Sequence, residues 1–275
     1  MPRRPDQATA TIALVIEDPA NPFWSAITRG VVEIARRHQR VLIVGSTGLS
    51  FEQECDLLRD LVRRQVDGLL VTPTADDHAE LHRELAHRAP MVFIDRAPAG
   101  ILTDSVILDN VGGAHQAVRH LLSRGHRRIG YIGGDPAVGT GAGRRAGYRR
   151  ALEEAGLPYD PALVSLNVHG VAGARDAAAR LLAGPASATA IFADNNQICL
   201  GVLQIVDQHE PGIDVAGFDD VELADLLPRP VAMVTYDGVE LGRRAAELLF
   251  RRIRGSTEPV AQVLLPTTLQ MRGGR

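Results

Sequence analysis

Arg119-His120-Leu121-Leu122-Ser123-Arg124-Gly125-His126-Arg127-Arg128-Ile129-Gly130-Tyr131-Ile132-Gly133-Gly134 reads as the end of an amphipathic helix, a glycine stop, a basic turn, and a buried strand closed by a glycine pair. Gly125 suits the left-handed position that ends a helix. Asp109-Asn110 stands at the start of that helix, and Gly141-Ala142-Gly143-Arg144-Arg145-Ala146-Gly147-Tyr148 opens the next one. A strand that runs into a glycine-rich loop and a helix start is where parallel α/β folds hold ligands. No catalytic residue set surrounds it, so the stretch points to binding and not to chemistry.

The same alternation runs through the chain. Apolar runs rich in Val and Ile predict strands at Thr11–Ile16, Val41–Val44, Gly68–Val71, Met91–Ile94, Ser105–Leu108, Arg128–Ile132, Leu163–Leu166, Ala190–Ala193, Asp214–Gly217 and Val231–Thr235. They are continuous and not alternating, as expected of strands covered on both faces. Helical periods between them predict parallel sheets with right-handed crossovers. Asn21 before Pro22 and Ser50-Phe51-Glu52-Gln53 are helix starts. Asp-Pro-Ala follows the first strand at Asp18–Ala20 and recurs at Asp135–Ala137. This faint repeat predicts two similar α/β lobes with parallel doubly wound sheets, and a ligand cleft where they meet.

Composition excludes several functions. The 275 residues carry a net charge of −3, with 45% apolar and 23% charged residues, so there is room for a full core and no basic footprint for nucleic acid. Cys55 and Cys199, the only cysteines, are expected as buried free thiols, which suits the reducing cytoplasm. The run Thr11–Ile16 is too short for a signal segment, and no run reaches the ~20 apolar residues of a membrane helix. The loop Asp135–Gly143 lacks the spacing of a dinucleotide or phosphate loop, and the nine histidines make neither H-E-x-x-H nor a Cys/His ligand spacing. No cofactor, no metal and no enzymatic activity are therefore expected.

A set of motifs in fixed order resembles one known family. The set is Asn21-Pro22-Phe23-Trp24, Val66-Asp67-Gly68-Leu69-Leu70-Val71, Phe93-Ile94-Asp95-Arg96, Asp109-Asn110, Gly125-His126-Arg127-Arg128-Ile129, Gly143-Arg144-Arg145-Ala146-Gly147-Tyr148, Thr189-Ala190-Ile191-Phe192-Ala193, Gly217-Phe218-Asp219-Asp220 and Leu241-Gly242-Arg243-Arg244-Ala245-Ala246. Together they resemble the effector-binding core of the lactose-repressor (LacI) family of bacterial transcription regulators. The resemblance implies the fold of the periplasmic sugar-binding proteins (type I). It places an N-terminal lobe at 9–123 plus 238–262, a C-terminal lobe at 124–237 plus 263–275, and a remnant linker or tail at 1–8. On that division Ser123–Arg128 would be the first crossover. Ten residues precede Thr11, whereas the family's helix-turn-helix headpiece needs ~60. Operator DNA is therefore expected only through a headpiece that this chain does not carry.

The resemblance also implies ligand-binding residues, each with a plainer alternative. Phe23 and Trp24 would cover the apolar face of a ligand, or else fill the core of a helix. Arg144, at the start of its helix, offers a fork of donors suited to vicinal hydroxyls; otherwise it is solvated. Asp219 would accept hydroxyl hydrogens opposite Arg144, or cap a helix over Val221–Leu227. Asn195 stands at a strand end, where the family has Asn-Asp and this chain has Asn195-Asn196, the second expected as the cap. Thr140, Tyr236, His169 and Asp109 complete the set; their alternatives are a surface loop, a hinge plug, a solvated loop and a helix cap.

The implied function is the ligand-sensing and dimerising core of a transcriptional regulator. Its effector is expected to be a sugar or derivative, ahead of a purine. A homodimer is expected through Val221, Leu223 and Leu226. A solute-binding receptor of a sugar transporter is the alternative, and would need export.

Overall fold

The computed structural model describes residues 10–74, 77–184, 187–207 and 212–274, so the expected tail at 1–8 lies outside the described residues. The chain opens with β1 (Thr11–Ile16), α1 (Pro22–Arg37), β2 (Val41–Ser46), α2 (Phe51–Arg63), β3 (Gly68–Val71), α3 (Ala79–Leu85), β4 (Met91–Asp95) and β5 (Ser105–Leu108). It continues with α4 (Asn110–Ser123), β6 (Ile129–Ile132), α5 (Gly139–Glu154), β7 (Val164–Ser165), α6 (Gly170–Leu182), β8 (Ala190–Ala193), α7 (Asn196–Val206), β9 (Asp214–Phe218) and β10 (Val231–Thr235). It ends with α8 (Gly238–Ile253), β11 (Gln262–Leu265) and β12 (Thr268–Arg272).

These elements form two units, each with one six-stranded sheet. The first unit runs to Leu108 and resumes over Asp237–Leu265. Its sheet has the order β11-β5-β4-β3-β1-β2, parallel throughout. One of its cores joins Ala13, Leu58, Leu69 and Phe93, all buried apolar residues. The second unit comprises Asp109–Tyr236 and Pro266–Arg275, with order β12-β10-β9-β8-β6-β7. It is parallel except for β12, which runs antiparallel to β10. Its core gathers Ile132, Ala174, Ile191, Val202, Val215 and Met233.

The capping chemistry behaves as the sequence predicts. The Asn21 side chain accepts the Phe23 N–H at 3.1 Å, and Ser50 Oγ accepts the Gln53 N–H at 3.3 Å. Gly125, at φ +96°, follows α4. Glycines also set the helix pairing. A Cβ on Gly30 of α1 would lie 2.1 Å from the Val239 carbonyl oxygen of α8, and one on Gly242 of α8 would lie 2.1 Å from that of Ile27. Gly147 of α5 meets α4 in the same way, 2.3 Å from the Val111 oxygen.

Three expectations are corrected. The first crossing between units falls at Leu108–Asp109, and not after Ser123, because α4 packs against α5, β9 and β10 of the second unit. The other two fall at Tyr236–Asp237 and Leu265–Pro266. The basic turn after α4 is a structural tie inside the second unit: Arg124 and His126 both donate to Asp214 at the start of β9, and Arg128 Nε donates to the Ser187 carbonyl. Finally, β2 is not covered on both faces. As the outer strand of its sheet it leaves Val41 64% exposed.

Candidate functional site

The strands of the second unit end in a ring of polar side chains. Thr235 closes β10 and is followed by Tyr236; Phe218 closes β9 and is followed by Asp219, held at φ +66°; Ala193 closes β8 and is followed by Asp194 and Asn195. Beyond β6 come Gly133, Gly134 and then α5.

Arg144 is the centre of this ring. It does not stand at a helix start, because α5 begins at Gly139 and places Arg144 in its second turn. The residue is 6% exposed. Nη1 donates to Asp219 Oδ2 at 3.2 Å and Nη2 to Asp219 Oδ1 at 3.5 Å. Nε donates to Asn110 Oδ1 at 2.8 Å, and Nη1 also reaches the Asp194 carbonyl. The guanidinium carbon sits 3.8 Å from the centroid of the Phe218 ring, a cation–π contact. Asp219 accepts a further hydrogen bond from the Tyr236 hydroxyl at 2.6 Å. Arg144, Asp219 and Tyr236 thus share one hydrogen-bonded cluster, in which Tyr236 takes part through its hydroxyl.

Two residues of the ring escaped that reading. Asn110 was overshadowed by its neighbour Asp109, which is spent on capping α4 through the Gly112 N–H at 2.8 Å. Asp194 carries no motif signal of its own. Its carboxylate is buried, and accepts from the Tyr131 hydroxyl at 3.0 Å, the Gly134 N–H at 3.2 Å and Asn195 Nδ2 at 3.1 Å. Burial pushes this carboxyl up to about 6, although the Arg144 charge and the Tyr131 and Gly134 hydrogen bonds favour the ionised form.

The other candidates divide differently. Asn195, and not Asn196, caps α7: its Oδ1 accepts the Ile198 N–H at 2.9 Å. The helix expected over Val221–Leu227 is only a short 3-10 turn at Ala224–Leu226, so Asp219 is free of capping duty. Thr140 is half-buried in the first turn of α5, and His169 is exposed before α6 without making a side-chain cap. In the first unit Trp24 belongs to the buried face of α1, 3% exposed, and touches the half-buried Phe23 edge-on at 4.5 Å between centroids.

The first unit has its own charged strand end. Arg96 follows β4, is 7% exposed, and donates to Asp95 Oδ2 at 3.2 Å and Glu17 Oε2 at 3.0 Å. Its buried Nη1 has no partner among the described residues. Among the described residues no cluster of three or more potential ligands could hold a metal ion. No helix among them is long and apolar enough to cross a membrane.

Known proteins resemble this chain along nearly its whole length. A periplasmic binding protein-like domain matches residues 118–274. The helix-turn-helix transcriptional regulator GalS of Salmonella typhimurium is 29% identical over 270 residues, 97% of this chain and 79% of its own length. The ribose operon repressor of Haemophilus influenzae is 29% identical over 268 residues, 96% of this chain and 80% of its own. The solved complex of the transcriptional regulator CelR with cellobiose is 30% identical and superposes with a TM-score of 0.87, covering 96% of this chain and 84% of that one.

Proposed function

Because the chain belongs to the periplasmic-binding-protein-like family, among the transcriptional regulators of the lactose-repressor kind, we propose that it senses a sugar or sugar derivative through the strand-end ring of its second unit. The observation that carries this is the Arg144–Asp219 pair, buried at the carboxyl ends of the strands and shared with Asn110 and Tyr236. A guanidinium fork beside a carboxylate supplies both the donors and the acceptors that neighbouring hydroxyls require. The paired groups keep their charges matched while a polyol adds hydrogen bonds to them, its hydroxyl oxygens accepting from the guanidinium and its hydroxyl protons going to the carboxylate. The ribose operon repressor among the relatives, and the cellobiose held by CelR, support a sugar over a purine.

The effector acts by its difference in affinity for two conformations, since equal affinity for both would shift nothing. In a protein that joins this core to a helix-turn-helix headpiece, that difference sets operator affinity, and the regulator works in the cytoplasm as a dimer. The surface assigned to the second copy is Leu223 and Leu226, 75% and 74% exposed. Val221, also expected there, is buried in the core of the second unit and is not part of that surface. Leu223→Glu should convert a dimer to a monomer in sedimentation; an unchanged mass would remove this assignment.

A thermal-shift screen with cellobiose, ribose, galactose and adenosine tests the effector reading. A ligand at 100 times its Kd stabilises by ~2.7 kcal/mol. Arg144→Ala should abolish the shift. A variant that binds as well as the parent sinks the assignment of the site.

A further inference from the structure

Beneath the Arg144–Asp219 pair lies a buried acid that the reading above leaves without a role. Asp194 is 3% exposed, and both of its carboxylate oxygens are used. Oδ2 takes the Tyr131 O–H and the Gly134 N–H, and Oδ1 takes Asn195 Nδ2. Its own main-chain carbonyl takes an N–H of Arg144. One residue thus joins β6 and the turn after it, the N-cap of α7, and the arginine of α5. The fit is tight: a Cβ on Gly133 would lie 2.5 Å from Asp194 Oδ2 and 2.5 Å from the Tyr131 ring.

Resting on the effector reading, we propose that Asp194 is a positioning residue for the sugar site: ionised, it locks the Gly133–Gly134 turn, Tyr131 and Asn195 in the arrangement that presents Arg144, and uptake of one proton releases that lock. The chemistry is a count of donors. A carboxylate accepts all three N–H and O–H groups that point at it. A carboxylic acid is a weaker acceptor and carries an O–H of its own; placed on Oδ1, where only Asn195 Nδ2 donates, that proton competes with the Asn195 donor and weakens the contacts that hold the turn. Tyr131 remains a donor throughout, because burial and the Asp194 charge push its hydroxyl well above its ordinary range. The charged and titratable groups acting on Asp194 are Tyr131 from β6, Arg144 from α5 and Asp219 beyond β9, while Arg145 of α5 acts on Tyr131. Arg144 favours the ionised form, while burial and Asp219 oppose it. That balance, with a carboxyl near 6, brings the release within reach of mildly acid conditions.

The test needs no effector. With 15N-arginine and 15N-glycine labelling of the whole chain, the Arg144 Nε–H and Gly134 N–H signals are followed from pH 5 to 8. Both should titrate with a midpoint near 6, and neither should do so in Asp194→Asn. Tyr131→Phe removes one donor to the carboxylate and should raise the midpoint; it carries the test if Asp194→Asn does not fold. Signals that stay flat in the parent, titrate unchanged in Asp194→Asn, or keep their midpoint in Tyr131→Phe overturn the proposal. With ribose or cellobiose as probe, affinity should weaken about tenfold from pH 7.5 to pH 5.5, the loss of about one hydrogen bond. Asp194→Asn should bind weakly at both pH values. If no sugar binds at any pH while the Arg144 signal titrates as expected, the sugar reading fails and the positioning of Arg144 by Asp194 stands.

Discussion

Arg144 and Asp219 meet through two guanidinium nitrogens, at 3.2 and 3.5 Å, with both residues under 10% exposed. A pair so placed holds its partner's charge as well as its own position. Removing one member of a buried pair leaves the other uncompensated, at a cost of about 3 kcal/mol. Arg144→Met should therefore lower the free energy of urea unfolding by about that much, with Tyr236 and its hydrogen bond to Asp219 absorbing part of it. Adding Asp219→Asn should return some of the loss. A single variant as stable as the parent would show that the pair is not held in solution.

Gly147 lies one turn beyond Arg144 on α5, against the Val111 carbonyl of α4. A methyl group there meets backbone and not a flexible side chain, so α5 must move away from α4. Overpacking of this kind costs about 1–3 kcal/mol. Because Asn110 sits at the start of α4 and holds Arg144 Nε, the same displacement should weaken sugar binding. Gly156→Ala is the comparison: nothing lies within 4 Å of its Cβ, and only its φ of +69° resists the change. It should cost about 1 kcal/mol and leave binding untouched. Urea titration and isothermal titration with the same sugar separate the two.

The elements were legible in the sequence because buried parallel strands are written as unbroken apolar runs, and because caps have their own chemistry at Asn21, Ser50 and Gly125. Which sheet a helix covers is not written in that way. The apolar stripe of α4 fits either sheet in composition, and its place in the second unit follows from Gly113 and Gly147 meeting specific neighbours there. The two short C-terminal strands also escaped, because β11 and β12 are exposed edge strands of four and five residues without a buried run. In the site, Arg144 and Asp219 were recognisable as an arginine near a helix start and an acid after a strand. Asp194 and Asn110 were not, since their roles depend on partners 50 and 34 residues away.

Asp104 gives a signed pH dependence in the first unit. It precedes β5 and receives Arg252 of α8 through Nη2 at 3.0 Å, as well as the Ala261 N–H at 2.8 Å ahead of β11. Burial alone would raise its carboxyl, but the Arg252 and Ala261 hydrogen bonds outweigh it and hold it below the usual aspartate range. A carboxyl lowered on folding stabilises fully above its unfolded value, about 3.9, and that stability is lost as pH falls through the folded value. The urea midpoint should therefore drop below about pH 4, and Asp104→Asn should start lower at pH 7 and drop less. An acid limb of equal depth in both proteins would place the titration elsewhere.

Arg96 offers the clearest test of whether the first unit takes part in effector binding. Two of its guanidinium nitrogens are matched by Asp95 and Glu17, and Nη1 is buried without a partner among the described residues. A buried unmatched donor costs about 1–3 kcal/mol, which a ligand oxygen would recover on binding. Arg96→Lys keeps the charge but loses the planar fork that meets Asp95 and Glu17 together. If Nη1 serves the effector, Arg96→Lys should weaken sugar affinity about tenfold or more, by the same one-hydrogen-bond arithmetic, while the protein stays folded. If Arg96 is only structural, the variant should lose stability through Asp95 and Glu17 and bind the sugar with unchanged Kd. Measuring both quantities on one preparation decides between them, because the two roles move different numbers.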